Sequence, residues 1–185
     1  MQILANWLRS FKCHNQQSTK IYASIVAQVR NPVFYMHYGI KDTITGRYEL
    51  LAVHVALTLA VLRLCETANG PVSRGIVESF ITDMDDNFRE IGIGDMSVPK
   101  HVKKVSAGLL ERSIDYIYSL KNDDRSALEK HLAKYLGSRN KELNIPCLIE
   151  YIVASYTKMS ECADNMYDQT DLFANPANYI LSPVV

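Results

Sequence analysis

Apolar residues recur every three or four positions along most of the chain, and nowhere do apolar and polar residues alternate cleanly for six positions. No Asn-Gly or Asp-Gly stands between β-branched runs, so hairpins lack their usual turn. The pattern predicts an all-α protein, a single bundle-like domain of about seven helices. Ser18 is placed to cap a helix that carries Ile21, Tyr22, Ile25, Val26 and Val29 on one side. Asn31-Pro32 reads as a cap followed by proline in the first turn of a short helix closed by Gly39. After a polar loop, Thr45 is placed to cap a central helix whose run Leu50 to Leu62 lies between Glu49 and Arg63. That run spans only about 20 Å as a helix, short of the roughly 30 Å of a bilayer core, so it predicts a buried helix and not a membrane span.

Pro71 opens the next helix, with Ile76, Val77, Phe80, Ile81, Met84, Phe88 and Ile91 as its stripe and Gly92 and Gly94 as its stop. Pro99 starts another, carrying Val102, Val105, Leu109, Tyr116 and Leu120. Ser126 and Glu129 have capping-box spacing ahead of Leu128, Leu132 and Leu136. Asn144 and Pro146 start a last long helix, expected to run toward Met166. The organisation predicted is an N-terminal arm over 1–17, an all-α domain over 18–168, and a tail over 169–185 lying on the surface. In the arm, Ile3, Leu4, Trp7, Leu8 and Phe11 fall on one helical stripe with Arg9 and Lys12 beside it. A short helix packed on the domain is the simpler account of that stripe, and contact with a membrane surface is the other. The arm lacks the apolar core and cleavage site of a secretory signal.

Composition narrows the function classes. Lysine plus arginine and aspartate plus glutamate each number 20, so the net charge is zero and bulk DNA binding, which wants a basic excess, is disfavoured. The four cysteines, Cys13, Cys65, Cys147 and Cys162, form no C-x-x-C pair and read as reduced core thiols of a cytosol-like compartment.

No catalytic set emerges. The acids Asp83, Asp85, Asp86, Glu90 and Asp95 crowd into one stretch, but the Glu-x-x-His pairs of helical di-iron sites are missing. A solvated acidic face with Arg89 pairing Asp85 or Asp86 is one reading, and a partner-binding face the other. The five histidines lack metal-ligand spacing, and no nucleophile elbow or phosphate-binding glycine loop has the required context, so no metal, cofactor or catalytic residue is expected. His54, alone inside the apolar helix, is expected to be a hydrogen-bonded core residue. Lys100, Lys103 and Lys104 sit at a helix N-terminus, where cations oppose the helix dipole. That placement leaves two readings, a solvated basic face and a contact with an acidic or phosphate-bearing partner.

Three blocks carry a resemblance: Ile25 to Tyr35, then Asp42-Thr43 with Gly46-Arg47-Tyr48-Glu49-Leu50-Leu51 and His54, then Asp83-Met84-Asp85-Asp86-Asn87-Phe88-Arg89-Glu90-Ile91-Gly92-Ile93-Gly94-Asp95 with Val98-Pro99-Lys100 and Val102-Lys103. Their content and spacing over roughly residues 20 to 135 resemble the ubiquinol–cytochrome c chaperone family, in its short bacterial-type form. The resemblance implies an assembly factor and not an enzyme. It implies the cytochrome b subunit, or an early intermediate of respiratory complex III, as the client, with the ribosome and the membrane surface nearby. It also implies a cytoplasmic location at the inner face of the inner membrane, or the matrix of a mitochondrion.

The residues expected to bind the partner are Asp42, Arg47, Asp83, Asp85, Asp86, Arg89, Glu90, Asp95, Lys100, Lys103 and Lys104. Arg47 is expected to bond Asp42, Asp83, Asp86 or Asp95 and so tie the second and third blocks together. Gly92 and Gly94 are expected to reverse the chain and bring the acids beside the lysines on one edge. The alternative, from a different class, is a helical protein holding quinone or tetrapyrrole in a cavity around His54.

Overall fold

The computed structural model describes residues 2–65, 70–137, 142–163 and 171–180, with side chains from residue 16 onward and without that of Cys65. Its helices are α1 (Gln2–Val29), α2 (Val33–Met36), α3 (Ile44–Cys65), α4 (Pro71–Glu90), α5 (Val98–Lys121), α6 (Arg125–Leu132) and α7 (Ile145–Glu161). A π-helical turn, Ala133–Gly137, extends α6, and a 3-10 turn, Pro176–Tyr179, follows α7. There is no strand among the described residues, so the protein is all-α as the periodicity predicts.

The order of packing follows from α3. A helix that is apolar on every side can be satisfied only at the centre. Leu50, Ala52, Val55, Leu57, Ala60 and Leu62 are all fully buried. α5, α1 and α7 pack around it, α4 bridges α1 and α5, and α6 joins α5 to α7. The stretch Ile44–Leu64 is in fact long and apolar enough to cross a membrane, so the length argument made from the sequence does not hold. The helix is longer than its purely apolar run. Its place inside the bundle, with two thirds of that stretch buried, rests on packing instead.

Several boundaries differ from the sequence-based expectations. α1 runs unbroken past Ser18, which is buried and caps nothing. Ser18 lies against Gly75 of α4, where an added Cβ would sit 2.3 Å from its Oγ. Small residues here let the two helices approach closely. The side chains of Ile3, Leu4, Trp7, Leu8 and Phe11 lie outside the described residues. The cap of α3 is Thr43 and not Thr45: its Oγ1 accepts from the Gly46 amide at 3.1 Å. Asp124, not Ser126, caps α6, accepting from Ala127 at 2.9 Å. Asn144 caps α7 as expected, accepting from Cys147. Helix α7 ends at Glu161.

The larger correction concerns the C-terminal segment. Residues 171–180 do not simply lie on the surface: Leu172, Phe173, Ala174 and Pro176 are buried, while Asp171, Asn175, Ala177 and Asn178 are exposed. Side chains from α1, α7 and the α2–α3 connection hold this extended segment by its backbone. Lys158 donates to the Phe173 carbonyl at 2.8 Å, and Gln28 to the Ala174 carbonyl at 3.2 Å. The Ala174 amide donates to Ser155 Oγ at 3.2 Å, and the Tyr38 hydroxyl to the Pro176 carbonyl at 2.7 Å. Such a segment has no helical period to reveal it, because its backbone groups are satisfied by side chains far away in sequence.

Phe173 reaches His54, ring to ring at 5.0 Å. His54 is fully buried, with Nδ1 2.7 Å from the Leu50 carbonyl and Nε2 2.7 Å from the Tyr151 hydroxyl. A carbonyl can only accept, so Nδ1 carries the hydrogen and Nε2 accepts from Tyr151. Tyr151 in turn accepts from Gln28 Nε2 at 3.0 Å. Burial disfavours the imidazolium and lowers the His54 pKa from 6.5 to about 4, although the Leu50 carbonyl pulls the other way.

Two outcomes follow. Phe173→Ala should cost about 3–5 kcal/mol in urea unfolding, as for a buried aromatic in a core; a loss under about 1 kcal/mol would return the segment to the surface. A histidine whose folded pKa is depressed binds fewer protons than in the unfolded chain as pH falls below 6.5. Its contribution is complete above that pH and is lost on the way down to about pH 4. The stability difference between about pH 7.5 and about pH 5 should contain about 2 kcal/mol that His54→Gln abolishes.

Candidate functional site

The charged residues singled out by sequence fall into three groups of different character. The first is structural. Asp83 accepts from the Tyr22 hydroxyl at 2.8 Å and from Asn87 at 3.1 Å, so it pins α4 to α1. The second is locally paired. Arg47 holds Asp42 through two hydrogen bonds, at 2.5 and 3.1 Å, with its guanidinium 5.7 Å from the Tyr35 ring centre. Hydrogen bonding to Arg47 lowers the Asp42 pKa. The pair is exposed and closes within one sequence block. The expected tie to the block containing Asp83, Asp86 and Asp95 is not formed. The loop is short enough for Asp42 to reach Arg47 first.

Arg89 is also paired locally, donating to Asp85 at 2.6 Å and to Asp95 at 2.5 Å. It thereby clips the end of α4 to the loop beyond. The third group is free of ion pairs and side-chain hydrogen bonds among the described residues: Asp86, Glu90, Lys100, Lys103 and Lys104, all exposed. The acids and lysines share a corner, but no ion pair joins the two sets.

That corner is built firmly. Gly92 adopts φ +83°, its amide donates to the Arg89 carbonyl at 3.0 Å, and the Ile93 amide donates to the Phe88 carbonyl at 3.0 Å. These two bonds define a Schellman stop, which needs a left-handed residue and hence glycine at that one place. Gly94 has no positive φ and only continues the turn. Val98 is fully buried beneath the corner, and the Phe88 ring lies 5.5 Å from His101, joining the last turn of α4 to the first of α5. Met96 stands 95% exposed at its tip.

Sequence reasoning missed a second polar assembly. Glu49, at the polar edge of α3, is buried and receives Nε and Nη2 of Arg112 at 2.5 and 2.6 Å. Arg112 also donates to the Gly108 carbonyl at 2.9 Å and lies 4.3 Å from the Tyr135 ring centre. Burial alone would lower its pKa, but the hydrogen bonds and charge of Glu49 prevail and raise it. Around it, Lys134 and Tyr135 engage Glu111 and Asp115. The signal for this pair was an acid adjoining a wholly apolar run, since a buried carboxylate requires a cation.

The space around His54 is filled by the rings of Phe34, Tyr151 and Phe173. The ligand alternative needs room there. A shallow open groove of about 380 Å³ runs instead between α1 and the C-terminal segment, lined by Ala23, Ala27, Gln28 and Leu172 among others. Among the described residues, no three potential metal ligands converge.

The sequence profile of the family described as ubiquinol-cytochrome C chaperone matches residues 36–173. No curated protein matches the chain. The crystal structure of the Cbp3 homolog from Brucella abortus matches with a TM-score of 0.80 at 27% identity, covering 95% of this chain and 98% of that one.

Removing half of the buried pair should be costly, because the partner charge stays in the core. Arg112→Met should lose about 3–5 kcal/mol by chemical denaturation, while the double change with Glu49→Leu should recover most of it. Equal losses in single and double variants would mean that packing, not charge, holds this contact.

Proposed function

The chain belongs to the ubiquinol–cytochrome c chaperone family, and from that premise we propose that it binds newly made cytochrome b, or an early intermediate of the reductase, through the α4–α5 corner. The coarser role, an assembly chaperone for respiratory complex III, comes with the family and with the likeness to the Cbp3 homolog. The observation that carries the finer reading is the set of exposed charges without ion partners on that corner: Asp86 and Glu90 on one side, Lys100, Lys103 and Lys104 on the other.

Charges that served folding would be paired, as Arg47, Arg89 and Arg112 are. Exposed pairs contribute only about 0–1 kcal/mol, so stability gives little reason to collect charges here. A rigid corner with both signs and an exposed Met96 suits recognition of a chain with apolar segments and charged ends. Asp42 and Arg47 rim the N-terminal end of α3, and the Arg89 clip to Asp85 and Asp95 sets the shape of the corner. Asp83 contributes from beneath by holding α4 in place.

Such a protein acts by binding and excluding wrong contacts, and the proposal gives it no catalytic step. It places the protein on the cytoplasmic side of the inner membrane, or the matrix side in a mitochondrion, where ribosome, membrane and young subunit meet. Asp86→Lys should leave the melting temperature within a few degrees, since Asp86 is exposed and feels only the charge of Arg89, with no hydrogen bond or ion pair between them. It should lower the assembled reductase in cells, read by native gel and haem b absorbance. Normal reductase in cells carrying a folded Asp86→Lys protein would move the client surface away from this corner.

A further inference from the structure

Helix α5 buries one face against α3 and leaves the opposite one without a partner. Leu110, Ile114 and Tyr118 are exposed by 62, 58 and 60%. Single exposed apolar residues are ordinary, but these three occupy successive turns and form one ridge. Toward the N-terminus the same line continues through Ala107, Lys103 and Lys100. The steps from Tyr118 to Lys100 average one helical turn, so the line is parallel to the axis and about 27 Å long.

We infer that this face of α5 is the docking strip for a single client helix, apolar along its middle and acidic at one end. The inference rests on the client role proposed above and gives that role its geometry. The charge pattern selects the occupant. At the N-terminal end, Lys100, Lys103 and Lys104 have no ion partner among the described residues and stand where the helix dipole is also positive. That end calls for carboxylates. Beside the apolar stretch, Glu111 and Asp115 are already engaged by Lys134, so the flank asks for no second basic group.

An anionic bilayer fits less well. A membrane plane would meet one narrow ridge, and the carboxylates of Glu111 and Asp123 border it. A second copy also fits less well, because a two-fold apposition would set the lysine end against Lys121 and Tyr118, so that cation meets cation on the ridge and Asp123 stands beyond the helix end.

The test uses the full chain in cells that make the reductase, with the photoreactive residue benzoylphenylalanine placed at Ile114 and, as a control, at the exposed Thr157 of α7. Illumination should join position 114, and not 157, to a reductase subunit, within a peptide whose apolar run has carboxylates within two turns of one end. Lys103→Glu should lower that yield about tenfold, and Lys103→Arg should keep it within about twofold. Purified protein should not float with vesicles rich in phosphatidylglycerol. Cross-links to a second copy, to lipid or to a peptide without such acids would overturn the inference, as would a yield indifferent to Lys103→Glu. Cells that lack the chain yet hold normal reductase would remove the client role itself, and this docking strip with it. Cells that lose reductase without the chain but show no cross-link at 114 would remove only the strip.

Discussion

The burial of α3 is the constraint on which the rest of the structure depends. A helix without a polar side has no stable place at a surface, so every neighbouring element is recruited to cover it. α5, α1 and α7 supply helical walls, and the remaining opening is closed by the extended segment around Phe173. The polar groups that α3 carries inward are then committed to fixed partners. Glu49 takes Arg112, His54 takes Tyr151, and Thr58 bonds back to the His54 carbonyl at 2.9 Å. Unmet, each would cost more than the bond itself contributes, so these partners are as obligatory as the apolar contacts.

What could be read in the sequence follows the same logic. Periodicity showed the helices because each outer helix has one wet face and one dry face. The apolar run from Leu50 to Leu62, which lacks such a period, showed α3 as the centre and His54 as a core residue. The segment 171–180 was not legible, since an extended strap held by Lys158, Gln28, Ser155 and Tyr38 has no internal period. Caps were misplaced at Thr45 and Ser126 for a related reason. Serine, threonine and aspartate crowd the loops, and only the backbone path decides which oxygen meets an amide. The Glu49–Arg112 pair spans 63 positions, and spacing rules see only neighbours within a helix.

The charged blocks proved heterogeneous in the same way. A dense acidic stretch in sequence holds residues with three different duties. Asp83 turns inward to Tyr22, Asp85 and Asp95 grip Arg89, and Asp86 and Glu90 face solvent. Helical periodicity separates Asp83 from Asp85, but it cannot show that Asp95 folds back over a Schellman turn. The recognition residues are therefore a subset of the blocks that carry the family resemblance, and the remainder build the platform on which that subset stands.

Net neutrality is a statement about the whole chain and not about any one face. With equal numbers of acids and bases, a protein that pairs every charge would present an even surface. Here acids are drawn into pairs with Arg47, Arg89, Arg112, Arg125, Lys134 and Lys158. Each base so engaged takes one acid from the available field, and Arg89 and Lys134 take two apiece. At the start of α5 no acid forms an ion pair with the lysines, since Asp86 and Glu90 stay on the α4 side of the corner, and the dipole of the helix adds to the lysines' sign. A neutral sequence thus yields a polarised edge beside an apolar ridge. That combination needs no excess of basic residues, and so it escapes any reading of function made from total charge alone.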